Sequence, residues 1–196
     1  QQQRCTNHPE RTAEVRRAAA KGARTVSFPD SPVPLGLPSF HSDLWDPFWD
    51  ALEETGVVLS LHFGSSGYVP GFSFSGVTAT NDGLANLPDA PFAVAIAGFS
   101  SNLMWSTIDL LFSPMLRKHP KLKVSLAEGG VGWIPYILER CDFVWERHRH
   151  YMKTIDFDTR PSDLYRQSIW GCFIDDEFGV KNRHEIGVNK MMLEID

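Results

Sequence analysis

The chain has no basic run. Its 19 Lys and Arg are outnumbered by 24 Asp and Glu, for a formal net charge of −5. That balance is a poor match for nucleic acid or an anionic membrane. Cysteine is scarce: Cys5, Cys141 and Cys172 are odd in number and far apart, and none has a ligand-spaced partner. Reduced thiols in a cytoplasmic protein fit this better than a disulfide framework does. Long apolar runs are also missing. The longest candidate, 91–112, is broken by Ser100, Ser101, Asn102, Ser106, Thr107 and Asp109, so it reads as a buried helix and not a membrane span. The chain opens at Gln1 with neither an initiating Met nor a signal-peptide pattern, and it stops at Asp196 inside an apolar run. A piece of a longer protein, cut at both ends, is the expectation. Gly-x-Gly-x-x-Gly and Walker motifs are absent, which argues against dinucleotide and P-loop sites.

What is present suffices for one packed domain: 42% hydrophobic and 22% charged residues exclude bulk disorder. The stretch 57–62, V-V-L-S-L-H, organises the rest. It has the continuous apolar character of a strand buried on both faces, and it delivers a histidine to the loops at its carboxyl end. Upstream, a helix over 10–20 closes at Gly22, and a strand over 23–28 stops at Pro29. Ser42 caps a helix with Asp43 and Asp46 in its first turn and Leu44, Phe48, Ala51 and Leu52 as its apolar stripe; Thr55-Gly56 ends it. A long loop, 64–88, has the length of a functional lid. The 91–112 helix restarts at Ser113-Pro114 and ends at Pro120, and a strand covers 122–127. An amphipathic helix over 133–148 buries Ile134, Ile137, Leu138, Cys141 and Val144. A short helical turn opens at Pro161-Ser162-Asp163; a strand covers 169–173, a helix 177–186 to Gly187, and a last strand 191–195. This alternation implies an α/β fold with a parallel sheet and helical crossovers.

His62, Glu128, Asp175 and Asp196 fall at predicted carboxyl ends of strands. A His, a Glu and an Asp converging on one rim suit a divalent metal such as zinc or manganese. No H-x-H at a predicted strand end and no H-E-x-x-H string supports this, and each residue has a structural alternative. His62 can be a core histidine bonded to a backbone carbonyl. Glu128, before Gly129-Gly130, can be an acid facing a helix N-terminus. Asp175, Asp176 and Glu177 read better as a loop capping the next helix. His119, His148, His150 and His184 read as surface residues, and His41 as a rim residue. Trp45, Phe48, Trp49, Trp105, Trp133 and Trp145 read as packing surface and not a binding cage.

Three strings carry a further signal: LPSFHSDLWDPFWDALEETGVVLSLHFGSSG, KHPKLKVSLAEGGVGWIPYILERCDFVWERHR and WGCFIDDEFGVKNRHEIGVNKMMLEID. Together they resemble the amidohydrolase-related family, the branch that includes aminocarboxymuconate-semialdehyde decarboxylase; AEGG-x-GW-x-P-x-x-LER-x-D is the most specific part. The resemblance implies a metal-dependent (β/α)8 TIM barrel, of which this chain covers roughly strands 4 to 8 as a single partial domain over 1–196. It places His62 at the fifth-strand metal-ligand position and Asp196 at the eighth-strand position, where an aspartate binds metal or handles a proton. Glu128 stands where the decarboxylases carry a catalytic His before Gly-Gly. The family's first-strand H-x-H is not in this chain, and about three βα units are expected upstream.

The resulting expectation is a metal-dependent hydrolase acting on a small carboxylated or acyl substrate, with Asp196 and Glu128 catalytic and His62 and Asp196 binding metal. Zinc is the expected ion and manganese the alternative. The second reading is a non-oxidative decarboxylase; the third, from another class, is a non-catalytic barrel remnant used as a binding module. A small-molecule substrate, no nucleic acid, no membrane, a homodimeric assembly and a cytoplasmic location complete the expectation.

Overall fold

A computed structural model describes residues 8–67, 97–98, 100–151 and 158–195. Along the chain, α1 (His8–Ala20) leads into β1 (Thr25–Pro29), and α2 (Asp46–Thr55) into β2 (Val58–His62). Then α3 (Ser100–Phe112) and α4 (Met115–Lys118) precede β3 (Val124–Ala127). After it, α5 (Ile134–His148) and α6 (Pro161–Ser168) precede β4 (Ile169–Phe173), and α7 (Glu177–Lys181) and α8 (Arg183–Ile186) precede β5 (Met191–Leu193). The five strands pair in chain order, every neighbour parallel. Helical crossovers make this arrangement possible, since parallel neighbours cannot be joined by tight hairpins.

The register sorts side chains onto two faces. Leu59, Leu61, Val124, Leu126 and Ile169 are all fully buried and pack with helix residues such as Leu52, Leu103, Leu110 and Ile134 in one core. On the opposite face Ser60, Ser125 and Trp170 lie level across β2, β3 and β4. His62 follows Ser60 on that second face by strand alternation. Phe28 anchors β1 to the helices: Phe40, Trp45, Phe48 and Trp49 surround its ring at centroid distances of 5.1 to 6.1 Å.

The predicted strands are all found, with ends moved by one or two residues. Ser42 caps as expected, its Oγ accepting from the Leu44 N–H. Leu44 itself is 53% exposed, because it sits in a 3-10 turn ahead of α2 and so off the helix stripe. Val144 is half-buried, and Trp145 takes its expected place in the core. The turn at Pro161 grows into the eight-residue α6, held by Asp142, whose carboxylate accepts from the Ser162 N–H and Oγ at 2.9 and 2.7 Å. The helix expected over 177–186 breaks at Asn182, whose Nδ2 donates back to the Phe178 carbonyl at 2.8 Å. Residues 68–96 lie outside the described residues, and with them most of the expected lid and the first part of the 91–112 helix.

His119 corrects a surface expectation. It is 5% exposed, with its ring nitrogens 3.3 Å from Asp50 Oδ1 and 3.6 Å from Asp46 Oδ1 on α2. The following Pro120 disfavours the helical conformation, so the chain leaves α4 at His119, with φ −121° and ψ 72°, and the ring lies against α2.

A buried acid at the end of β1 ties the carboxyl-end loops together. Asp30 is fully buried. Its Oδ1 accepts from the Ser31 and Ser66 N–H groups at 2.9 and 2.8 Å and from Ser65 Oγ at 3.3 Å. Its Oδ2 accepts from the Gly64 N–H and Asn102 Nδ2, both at 3.0 Å. Nothing in the sequence pattern marks this residue. Asp30→Ala removes the shared acceptor of the loop after His62 and of α3. The substitution is expected to cost the full-length protein about 3–5 kcal/mol by urea denaturation; a loss below about 1 kcal/mol would contradict the hub.

Candidate active site at the strand carboxyl ends

Two of the residues singled out in the sequence meet at the rim. His62 Nε2 lies 3.2 Å from Glu128 Oε1, with the two side chains 47% and 25% exposed. The backbone explains why. His62 pairs with Ala127, so simple alternation would send the next residue, Glu128, to the helix face. Instead Glu128 takes a φ of 58°, the left-handed region. That turn swings its carboxylate back to the histidine. Its neighbours permit the turn. A side chain on Gly129 would strike Leu103 Cδ1 at 2.7 Å, and Gly130 is itself left-handed at φ 66°. Glu128 is therefore not a helix N-terminal acid: α5 starts at Ile134.

The histidine's tautomer is set by its own loop. Nδ1 is 2.9 Å from the Phe63 carbonyl oxygen, which can only accept, so Nδ1 carries the proton and Nε2 faces the site. The Phe63 carbonyl is the main influence holding the imidazole pKa above its ordinary value; partial burial works against it, and Glu128 and Glu194 add to the rise. The carbonyl bond expected of a structural histidine is made through Nδ1, and it leaves Nε2 facing Glu128.

Glu194 completes the cluster and was not expected from the sequence. Its Oε2 accepts the Glu128 N–H at 2.6 Å. The available signal was periodicity in the strand predicted over 191–195: Glu194 stands two residues before the candidate Asp196, the spacing of same-face strand positions. The Cys172 thiol lies beneath it, free and buried, and is pushed up to about 12 by burial and then by Glu194. Burial does the same to Cys141, also to about 12. Both thiols stay protonated near neutrality and are no nucleophiles. Asp196 lies outside the described residues.

The pair suits a divalent ion in its chemistry. An imidazole nitrogen and a carboxylate oxygen are ordinary donors for zinc or manganese. Their 3.2 Å separation falls within the roughly 3.0–3.4 Å spanned by two donors on one ion at bonds of about 2.1 Å. Among the described residues no group of three His, Cys, Asp or Glu gathers to hold a metal.

The remaining candidates are dispersed. Asp175 is exposed. Asp176 is a clamp: it caps α7 by accepting from the Gly179 N–H, and its other oxygen accepts from the Val131 and Gly132 N–H groups, all at 2.7 Å. His148, His150 and His184 are exposed as expected. His41 pairs with Asp109 at 2.7 Å. Trp105 departs from its packing role: it is 52% exposed and lines a separate cavity of about 500 Å³ with Asp30, Asn102, Ser106 and Asp109. Among the described residues no helix is long and apolar enough to cross a membrane.

With this geometry in view, the comparisons with known proteins are specific. The model of an amidohydrolase family matches residues 5–196, and the chain belongs to that family. No curated protein matches the chain. Among solved structures, an amidohydrolase from Mycobacterium avium subsp. paratuberculosis is 21% identical with a TM-score of 0.68, over 95% of this chain and 45% of that one. A 5-carboxyvanillate decarboxylase from Sphingomonas paucimobilis is 17% identical at TM-score 0.70, over 94% and 51%. The 5-carboxyvanillate decarboxylase of Novosphingobium aromaticivorans, complexed with manganese and 4-hydroxy-3-methoxy-5-nitrobenzoic acid, is 15% identical at TM-score 0.65, over 97% and 51%. The chain spans about half the length of these structures. The shared fold makes the five strands part of a TIM barrel, as the sequence implied.

The Asp176 clamp yields a prediction. Burial raises its pKa, but the bonds from Val131, Gly179 and Gly132 outweigh this and hold it below the ordinary 3.8. A carboxyl depressed in the folded state contributes stability above its ordinary value and loses it as pH falls through the folded one. Asp176→Ala is expected to cost about 1–3 kcal/mol at pH 7, with the gap to wild type narrowing below that ordinary value in urea titrations. A gap independent of pH would show that the charge plays no part.

Proposed function

We propose that the protein is a divalent-metal enzyme acting on a small carboxylated or acyl substrate at the rim formed by His62 and Glu128. One observation carries this reading: His62 Nε2 stands 3.2 Å from Glu128 Oε1 at the carboxyl ends of adjacent parallel strands, the edge where barrel enzymes place their chemistry. His62 would hold the ion through Nε2, its ring oriented by the Phe63 carbonyl. Asp196 is the second ligand implied by the family pattern. A divalent ion there supplies a Lewis acid that polarises a carbonyl or carboxylate and lowers the pKa of water to about 7.

Hydrolysis of an ester or amide is the first reading, because Glu128 offers a carboxylate at the position where the decarboxylases carry a histidine. In that role Glu128 takes a proton at Oε1 and passes it to the leaving group. Non-oxidative decarboxylation is the second reading. It is favoured by the neighbouring folds, two of which belong to decarboxylases of an aromatic carboxylic acid, one with manganese. There Glu128 would deliver a proton to carbon as CO₂ leaves.

The test uses the full-length protein loaded with Mn²⁺ or Zn²⁺. Hydroxylated aromatic carboxylic acids are assayed for CO₂ release, and aryl esters and amides for hydrolysis. Turnover in one set is expected, reduced at least about 10³-fold in His62→Ala and about 10²–10⁴-fold in Glu128→Gln. Turnover undiminished in His62→Ala, or equal in metal-stripped protein, would sink the metal reading.

A further inference from the structure

We propose that Glu194 is a positioning residue of this site: its carboxylate holds the backbone of Glu128 in the left-handed conformation that presents the Glu128 side chain to His62. The inference rests on the reading of His62 and Glu128 as the working pair.

Three observations carry it. First, Glu128 needs to be held. A φ of 58° is unfavourable for any residue with a Cβ, and Glu128 is the one such residue among those described. Second, the holding contact falls on the same residue. The Glu128 N–H donates to Glu194 Oε2 at 2.6 Å, the short distance of a bond to a charged acceptor. Strand alternation already points that N–H to the β4 side, and Glu194, reaching across β4, is the group that receives it. Third, Glu194 is itself held. Its own N–H donates to the Phe173 carbonyl at 2.9 Å, extending the β4–β5 pairing by one residue. The buried Cys172 lies on the same inner face of β4, level with the residue before Leu193. Because the sheet order is β3-β4-β5, Glu194 reaches over β4 to touch β3. The contact thus joins two strands that do not pair, at the rim where the site lies. The printed contact of Glu194 is with the Glu128 backbone and not with the His62 ring, which places it behind the pair.

The experiment compares Glu194→Ala, Glu194→Gln, Glu128→Ala and the double alanine variant in the full-length protein. It has two readouts: hydrogen exchange of the peptide containing the Glu128 amide, and the affinity for Mn²⁺ alone by calorimetry. Glu194→Ala is expected to speed exchange at that amide roughly tenfold and to weaken Mn²⁺ binding about 10–100-fold. Glu194→Gln keeps an acceptor oxygen and is expected to restore most of both. In the Glu128→Ala background, removing Glu194 should change Mn²⁺ affinity by less than about twofold, since the residue it positions is gone. Unchanged exchange in Glu194→Ala, or equal losses of Mn²⁺ affinity in both backgrounds, overturns the proposal. If wild-type protein binds no Mn²⁺, the metal reading fails, while the exchange arm still decides for or against Glu194.

Discussion

In-register parallel pairing of β2 with β3 sets His62 level with Ala127, and the rim geometry depends on it. Strand alternation then puts His62 on the face away from the helices and leaves Glu128 one residue past its partner, pointing the wrong way. A single left-handed residue resolves this. At φ 58° Glu128 turns from the helix side to the histidine, and the Nε2–Oε1 distance closes to 3.2 Å. A shift of one residue in this register would send His62 into the helix-facing core, where Leu59 and Leu61 are fully buried.

The acids near the strand ends divide by what they are bonded to. Asp30 and Asp176 spend their oxygens on backbone N–H groups of neighbouring loops, so each fixes a loop and has little left for a ligand. Glu128 and Glu194 face the inner rim. One oxygen of Glu194 goes to the Glu128 backbone, while the Glu128 carboxylate meets a histidine. Asp30 and Asp176 thus tie loops together at the rim, while Glu128 and Glu194 meet each other there. Cys172, buried and protonated near neutrality, takes no part as a nucleophile.

Much of the fold was legible because strands such as 57–62 and 169–173 are short apolar runs bounded by glycine, proline or acidic turns, and the helices between them have their own caps and apolar stripes. His62 and Glu128 were legible for the same reason: a polar residue ending an apolar strand must emerge at the loops. The features that were missed are set by contacts between distant segments. Asp30 draws donors from Gly64, Ser66 and Asn102, none adjacent in sequence. His119 is buried because α4 ends beneath α2, facing Asp46 and Asp50. The break at Asn182 and the left-handed Glu128 have no periodic signature, since no glycine marks either position. The family resemblance supplied what spacing alone could not, the proposal of metal roles for His62 and Asp196, and the family itself is established over residues 5–196.

The most direct test of the account is anomalous diffraction at the manganese edge from crystals of the full-length protein grown with Mn²⁺. The account predicts an anomalous peak within about 2.3 Å of His62 Nε2, with Nδ1 still bonded to the Phe63 carbonyl and Glu128 left-handed beside the ion. A peak elsewhere in the barrel, with His62 still paired to Glu128 alone, would contradict it.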